Sequence, residues 1–107
     1  MSNQVIELAS FRLADGASEA TLIAASDAMQ EGFLKSQKGF IKRDLVKGTD
    51  GQWADVVYWD SQESVDAAMQ EAMNNPACFK YFELMTGVNH EDVSAGVMHL
   101  SVLRSYL

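Results

Sequence analysis

The stretch "WADVVYWDS", residues 53–61, places bulk on both faces of a strand, with Trp53, Val57 and Trp59 to one side and Val56 and Tyr58 to the other. A sheet covered on one face alone would alternate apolar with polar residues. Both faces of this strand therefore need cover. Its partner precedes it: "FIKRDLVKG", residues 40–48, leads into "TDGQ", and Asp50-Gly51 between two β-like runs is a hairpin signal. A two-residue turn there pairs Arg43 with Tyr58, Leu45 with Val56, Asp44 with Val57 and Lys42 with Trp59. A bulge in either strand would reverse these face assignments.

Outward from the hairpin the elements follow from periodicity. Residues 4–13, "QVIELASFRL", read as a strand with Val5, Ala9 and Phe11 on one side and Ile6 and Leu8 on the other. Asp15 and Gly16 turn the chain and Ser18 caps a helix over 18–36, whose stripe is Leu22, Ala25, Met29 and Phe33. After the hairpin, Asp60 or Ser61 caps a second helix, Asp60 and Glu63 having capping-box spacing. Its stripe is Val65, Ala68, Met69, Ala72 and Met73. "NNP" interrupts it, with Asn75 as cap and Pro76 opening a further turn that carries Phe79, Phe82 and Met85 on one side. Residues 87–96 read as a loop or irregular edge, and 96–106 as a last strand. The order β-α-β-β-α-β predicts one ferredoxin-like α+β domain over 1–107, with both helices on one face of an antiparallel sheet. The other face then carries Ile41, Leu45, Val56 and Tyr58. Two copies laid face to face would cover it, which predicts a symmetric homodimer.

Composition narrows the function classes. The formal charge is −7, from 15 acids against 8 bases, which disfavours nucleic acid and anionic membranes as partners. The densest basic stretch, Lys35, Lys38, Lys42, Arg43 and Lys47, is interrupted by Asp44 and reads as a solvated edge. No apolar run is long enough to span a membrane and the first residues do not resemble a signal peptide. Cys78 is the one cysteine, so no internal disulfide forms, in keeping with a cytoplasmic setting.

Gly39-Phe40, the hairpin, the strand-end Trp59-Asp60-Ser61, an Ala-rich helix and "NPACFKYF" follow one another here. This layout resembles the dimeric α+β barrel superfamily, in particular the antibiotic-biosynthesis-monooxygenase-like proteins, over roughly residues 4–106. The resemblance implies a sheet-to-sheet dimer with a pocket between each sheet and its helices. Some members are monooxygenases that need no metal or organic cofactor. They deprotonate an electron-rich phenol or quinol, and the resulting carbanion reduces O2. Others degrade haem with a first-strand Asn, the strand-end Trp and a helix His. Only Trp59 carries over: Ser10 or Phe11 stands where the Asn is expected, and residues 61–75 contain no His.

The resemblance makes Trp59 a pocket wall, where the pattern alone also reads as a core tryptophan packing the second helix; Phe40 shares its face, and Phe33, Met69, Phe79 and Phe82 from the helix side either line a pocket or fill a simple core. Lys42, Asp44 and Asp55 fall on the Trp59 face under the two-residue turn; they either reach solvent near the sheet edge or form a polar cluster at the pocket mouth, where a carboxylate with a raised pKa would serve as a base. His99 is a further candidate base, or a contact at the dimer seam. Arg43 opposite Tyr58 reads as a stacking contact on the dimer face. His90 with Glu91 and Asp92 lacks the spacing that converges metal ligands, so no metal site is expected. Cys78 reads as a small buried hydrophobe. Two functions remain: a cofactor-independent monooxygenase acting on a small aromatic or quinone-like compound, and a non-enzymatic homodimeric module that binds a small apolar ligand or serves in stress.

Overall fold

The computed structural model describes residues 3–87 and 96–107. The chain runs β1 (Val5–Leu13), α1 (Glu19–Gly32), β2 (Phe40–Lys47), β3 (Trp53–Trp59), α2 (Gln62–Ala72), α3 (Pro76–Phe82), β4 (Met85–Thr86) and β5 (Met98–Ser101). The sheet is antiparallel, in the order β2-β3-β1-β4, with β5 also on β1. Both short strands pair with β1, β4 at Arg12–Leu13 and β5 at Val5–Leu8. The architecture is the ferredoxin-like α+β arrangement, with the helices over one sheet face. Among the described residues no helix is long and apolar enough to cross a membrane. His90, Glu91 and Asp92 lie outside the described residues.

Local chemistry sets each element. Ser18 caps α1 by accepting from the Thr21 amide at 3.1 Å. The helix buries Leu22, Ser26 and Met29, then tightens into a 3-10 turn at Leu34–Ser36, so it stops short of the expected residue 36. Ser61 caps α2, accepting from the Ser64 amide at 3.2 Å, while Asp60 accepts from the Ser64 hydroxyl at 2.6 Å. The cap is therefore built on Ser64, not on Glu63. Asn75 accepts from Ala77 and Cys78 at 2.9 and 3.2 Å, with Pro76 first in α3. The buried face of α3 is Cys78 and Tyr81, one residue round from the expected Phe79 and Phe82. The last strand is shorter than expected: β5 ends at Ser101, and Leu103, Tyr106 and Leu107 are exposed.

The β2–β3 register corrects the two-residue turn. Arg43 faces Val57, Asp44 faces Val56, Leu45 faces Asp55 and Lys42 faces Tyr58. The cause is the loop. The Gly48 amide donates to the Gln52 carbonyl at 2.6 Å, leaving Thr49, Asp50 and Gly51 between them. Gly51 has φ +84° and among the described residues no non-glycine has positive φ, so Asp50 does not take the first place of a mirror-image two-residue turn. One extra loop residue shifts the register by one and exchanges the faces of β2. Arg43 and Leu45 point to the helices; Lys42 and Asp44 point away. A bulge at Ile41 then returns Phe40 to Trp59, edge-on at 5.8 Å.

The core lies between sheet and helices. Trp59, Tyr81, Leu22, Val65 and Cys78 are its most deeply buried large side chains. Each such apolar group contributes about 1.5–3 kcal/mol. The opposite face carries Ile6, Leu8, Val56 and Tyr58, half-buried, with Val46, Met98 and Leu100 exposed.

Gly39 joins β2 to α2. Its φ is +85°, its carbonyl accepts from the Asp60 amide at 2.9 Å, and a Cβ there would overlap the Ser64 hydroxyl and an Asp60 carboxylate oxygen. Gly39→Ala should lower stability in urea by about 1–3 kcal/mol. Gly32→Ala, where a Cβ meets open space at ordinary φ, should raise it by about 0.5–1 kcal/mol.

Candidate functional site

The inward face of β1 and β3 carries two acids, Glu7 and Asp55, both buried. β2 adds Arg43 and α3 adds Tyr81. Arg43 Nη1 donates to Asp55 Oδ1 at 3.1 Å, and the Tyr81 hydroxyl donates to Asp55 Oδ2 at 2.7 Å. Arg43 Nη2 donates to the Ser26 carbonyl at 3.1 Å and to its hydroxyl. The guanidinium also lies 5.6 Å from the Tyr81 ring centre. This network ties β2, β3, α1 and α3 together through charge-assisted bonds. Both members of the ion pair are nearly sealed from water, at 7% and 10% side-chain exposure, so each is the other's compensation for lost hydration.

Glu7 is differently placed. Its Oε1 accepts from the Trp59 indole at 3.1 Å, and no second hydrogen bond is recorded among the described residues. Burial pushes its pKa up; the Trp59 bond and the charge of His99 oppose that rise, and Asp55 adds to it. Burial also pushes Asp55 upward against the pull of Arg43. Cys78 is pushed up to about 12 by burial, which leaves a neutral thiol. Burial and the Asp55 carboxylate push the Tyr81 phenol upward too.

These groups border a cavity of about 90 Å³ between sheet and helices. Glu7, Arg43 and Asp55 meet it from the sheet beside Trp59, while Phe33, Met69 and Phe82 close it from the helix side. An apolar cavity of about 150 Å³ takes benzene. The space here is smaller than that, and Met29 and Met69, which also line it, are flexible enough to enlarge it toward the size of one ring.

The remaining candidates sit elsewhere. Phe40 packs on Trp59 outside the cavity lining, and Phe79 is 39% exposed on the outer side of α3. Asp44 is exposed on the uncovered sheet face, 3.5 Å from Lys42. Asp55 lines the cavity, but both its oxygens are engaged. His99 is exposed on β5, directly across from Glu7, with Nδ1 2.9 Å from Gln62. Arg43 belongs to the interior, where the three-residue loop places it. Among the described residues no three His, Cys, Asp or Glu side chains gather to hold a metal. Glu7 and Tyr81 were missed in the sequence reading. For Glu7 the signal existed: it shares parity with Val5, Ala9 and Phe11, which makes it a carboxylate on an inward face. For Tyr81 it did not, because the rotation of α3 is set by what it packs on.

No protein-family model matches the chain, and no curated protein matches it in sequence. Solved structures do match in fold. SnoaB, a cofactor-independent oxygenase from Streptomyces nogalater, is 14% identical, with a TM-score of 0.73 over 97% of each chain. A candidate antibiotic biosynthesis monooxygenase from Bordetella bronchiseptica is 15% identical, with a TM-score of 0.67 over 96% of this chain and 100% of that one. A variant of MhuD with two manganese protoporphyrin IX molecules per active site is 16% identical, with a TM-score of 0.61 over 95% and 97%. The property shared at these identities is the fold.

Loss of Arg43 leaves Asp55 buried and uncompensated, so Arg43→Met should cost about 3–5 kcal/mol in denaturant unfolding. Glu7→Gln should act oppositely. The raised pKa means that the folded chain keeps this proton at pH values where the unfolded chain has lost it. The contribution of Glu7 to stability is therefore whole below the usual carboxylate range and falls as pH rises toward the folded midpoint. Melting curves should show Glu7→Gln more stable than the parent at about pH 8, with the gain vanishing near about pH 4.

Proposed function

From a fold held in common with the antibiotic biosynthesis monooxygenase-like structures, we propose that this protein is a cofactor-independent oxygenase acting on a small aromatic or quinone-like compound, with Glu7 as the base. The observation that carries this reading is the buried Glu7 carboxyl, which borders an apolar cavity and, among the described residues, is held by a single bond from Trp59. A carboxyl with a raised pKa is a stronger base than one in water, and a dry site strengthens its pull on a hydroxyl proton. Asp55 is already occupied by Arg43 and Tyr81, so it serves as the anchor of the site.

The chemistry then belongs to the ligand. Glu7 takes the hydroxyl proton of a phenol whose ring stands against Trp59, Phe33 and Phe82. The phenolate is electron-rich enough to reduce O2, and oxygen joins the ring carbon that carries the reacting hydrogen. One oxygen atom remains as a carbonyl. The other leaves as water with the hydroxyl and ring hydrogens, so phenol and O2 balance quinone and water. The cavity volume favours one ring over a polycycle. It also disfavours a porphyrin, as does the absence of His from α2.

A second reading is favoured by the same small volume: a binding module that holds a small apolar ligand without turnover. Oxygen uptake with a panel of single-ring phenols and hydroquinones separates the two. The oxygenase should consume O2, and Glu7→Gln should lose about 10²–10⁴-fold in rate while still binding the ligand. Binding by the parent with no oxygen uptake across the panel would establish the second reading instead.

We further propose that two copies join through the face bearing Ile6, Leu8, Val56 and Tyr58. It is supported by the exposure of Met98 at 53% and Leu100 at 41% beside these residues, an apolar face that a lone chain would leave wet. Sedimentation should find a dimer, and Val56→Glu or Tyr58→Glu should yield single chains.

A further inference from the structure

Val57 stands at the centre of one row across the sheet. β2 sets Arg43 directly opposite it on one side, and β1 sets Glu7 opposite it on the other. The three side chains therefore share the inward face. Neighbouring strands lie about 4.8 Å apart, so Arg43 and Glu7 start about 10 Å from each other, across a buried valine. Both border the cavity. Among the described residues the ion pair of Arg43 is with Asp55, so a gap separates the guanidinium from the Glu7 carboxyl.

Each of the two has hydrogen-bonding capacity left over. A guanidinium carries five N–H groups. Arg43 gives one to Asp55, from Nη1, and two to Ser26, from Nη2. Its Nε–H and one Nη1 hydrogen meet no acceptor among the described residues. On Glu7, Oε1 accepts from Trp59, and Oε2 takes no hydrogen bond among the described residues. Yet among those residues no buried side-chain nitrogen or oxygen is sealed off without a partner. Nε and Oε2 therefore meet open space. Both side chains are nearly closed to bulk solvent, and the space they share is the cavity.

We propose that Arg43 sets the ligand specificity of this site, by donating from these spare N–H groups to an oxygen at the far end of the ring whose hydroxyl meets Glu7. The ligand class is a single ring with two oxygens in para relation. Between its two polar ends the cavity offers apolar surface: Val57 below, with Phe33, Met69 and Phe82 on the helix side. A polar atom placed there loses its hydration and finds no partner. A ring with an oxygen at each end, plus a hydrogen bond of about 2.8 Å at each oxygen, bridges the gap. Ortho or meta oxygens lie too close together to serve both ends. The donor is charged, which makes its bond to the far oxygen a strong one. The inference rests on the preceding reading in taking this cavity as the ligand site and Glu7 as the group that meets a hydroxyl. It does not rest on turnover.

The test is a binding series with oxygen excluded. It uses the parent protein, because loss of Arg43 is expected to destabilise the fold. Hydroquinone, para-cresol, catechol and resorcinol are titrated by calorimetry. Para-cresol matches hydroquinone in size and shape but carries a methyl group in place of the second oxygen. Hydroquinone should bind about 10-fold or more tightly than each of the other three. It should also shift the Arg43 Nε–H resonance in nitrogen NMR and leave those of Arg12 and Arg104 in place. Equal affinity for hydroquinone and para-cresol, an unmoved Arg43 resonance, or no binding of hydroquinone would overturn the proposal. Failure of the oxygenase reading would appear elsewhere, as hydroquinone held in this way with no oxygen uptake above the buffer rate once air is admitted.

Discussion

The three-residue loop between β2 and β3 is the constraint on which the interior depends. Gly51 supplies the positive φ that closes it, and Arg12 braces it by donating to the Asp50 carbonyl at 2.8 Å. A loop one residue shorter would turn Arg43 to the uncovered face and bring Lys42 and Asp44 under the helices. Asp55 would then be buried with no guanidinium in register. The ion pair, its link to Ser26 and the seat of Tyr81 all follow from one step of parity.

With that parity set, the two interior carboxyls divide. Asp55 has both oxygens bound and a cation beside it, so it behaves as structure. Glu7 is buried and, among the described residues, takes one hydrogen bond, from the Trp59 indole, so its charge is sensitive to whatever approaches. The division arises from position along the sheet. Asp55 sits where β2, α1 and α3 converge, whereas Glu7 sits between β3 and β5, paired with Val57 on one side and His99 on the other and bound by the Trp59 indole. The same separation puts the rigid part of the site at one end of the cavity and the adjustable part at the other. Met69 and Met29 add to that adjustability, because thioether side chains repack at low cost.

Much of this was legible in the residues. The two-sided apolar character of β3, the caps at Ser18 and Asn75, the Pro76 start and the β-α-β-β-α-β order follow from local rules and hold in the structure. The site was less legible. Trp59, Phe33, Met69 and Phe82 border the cavity, whereas Phe79 is turned outward, because the Asn75 cap and the packing of Cys78 and Tyr81 fix the rotation of α3. Asp44 lost its place with the register. Glu7 was visible by alternation alone, yet a single carboxylate among apolar neighbours reads as a strand edge until burial is known.

The sequence by itself determined the elements, their order and the sidedness of the strands, since these depend on propensities and periods that act over a few residues. It also signalled the turn at Asp50-Gly51, where the backbone at Gly51 is left-handed. The tertiary structure decided which face of β2 is covered, which helix face is buried, and which carboxylate is paired. Those outcomes rest on a one-residue register and on contacts between segments far apart in the chain, such as Glu7 with Trp59 and Arg43 with Ser26. Local pattern carries no information about such pairings until the elements have packed.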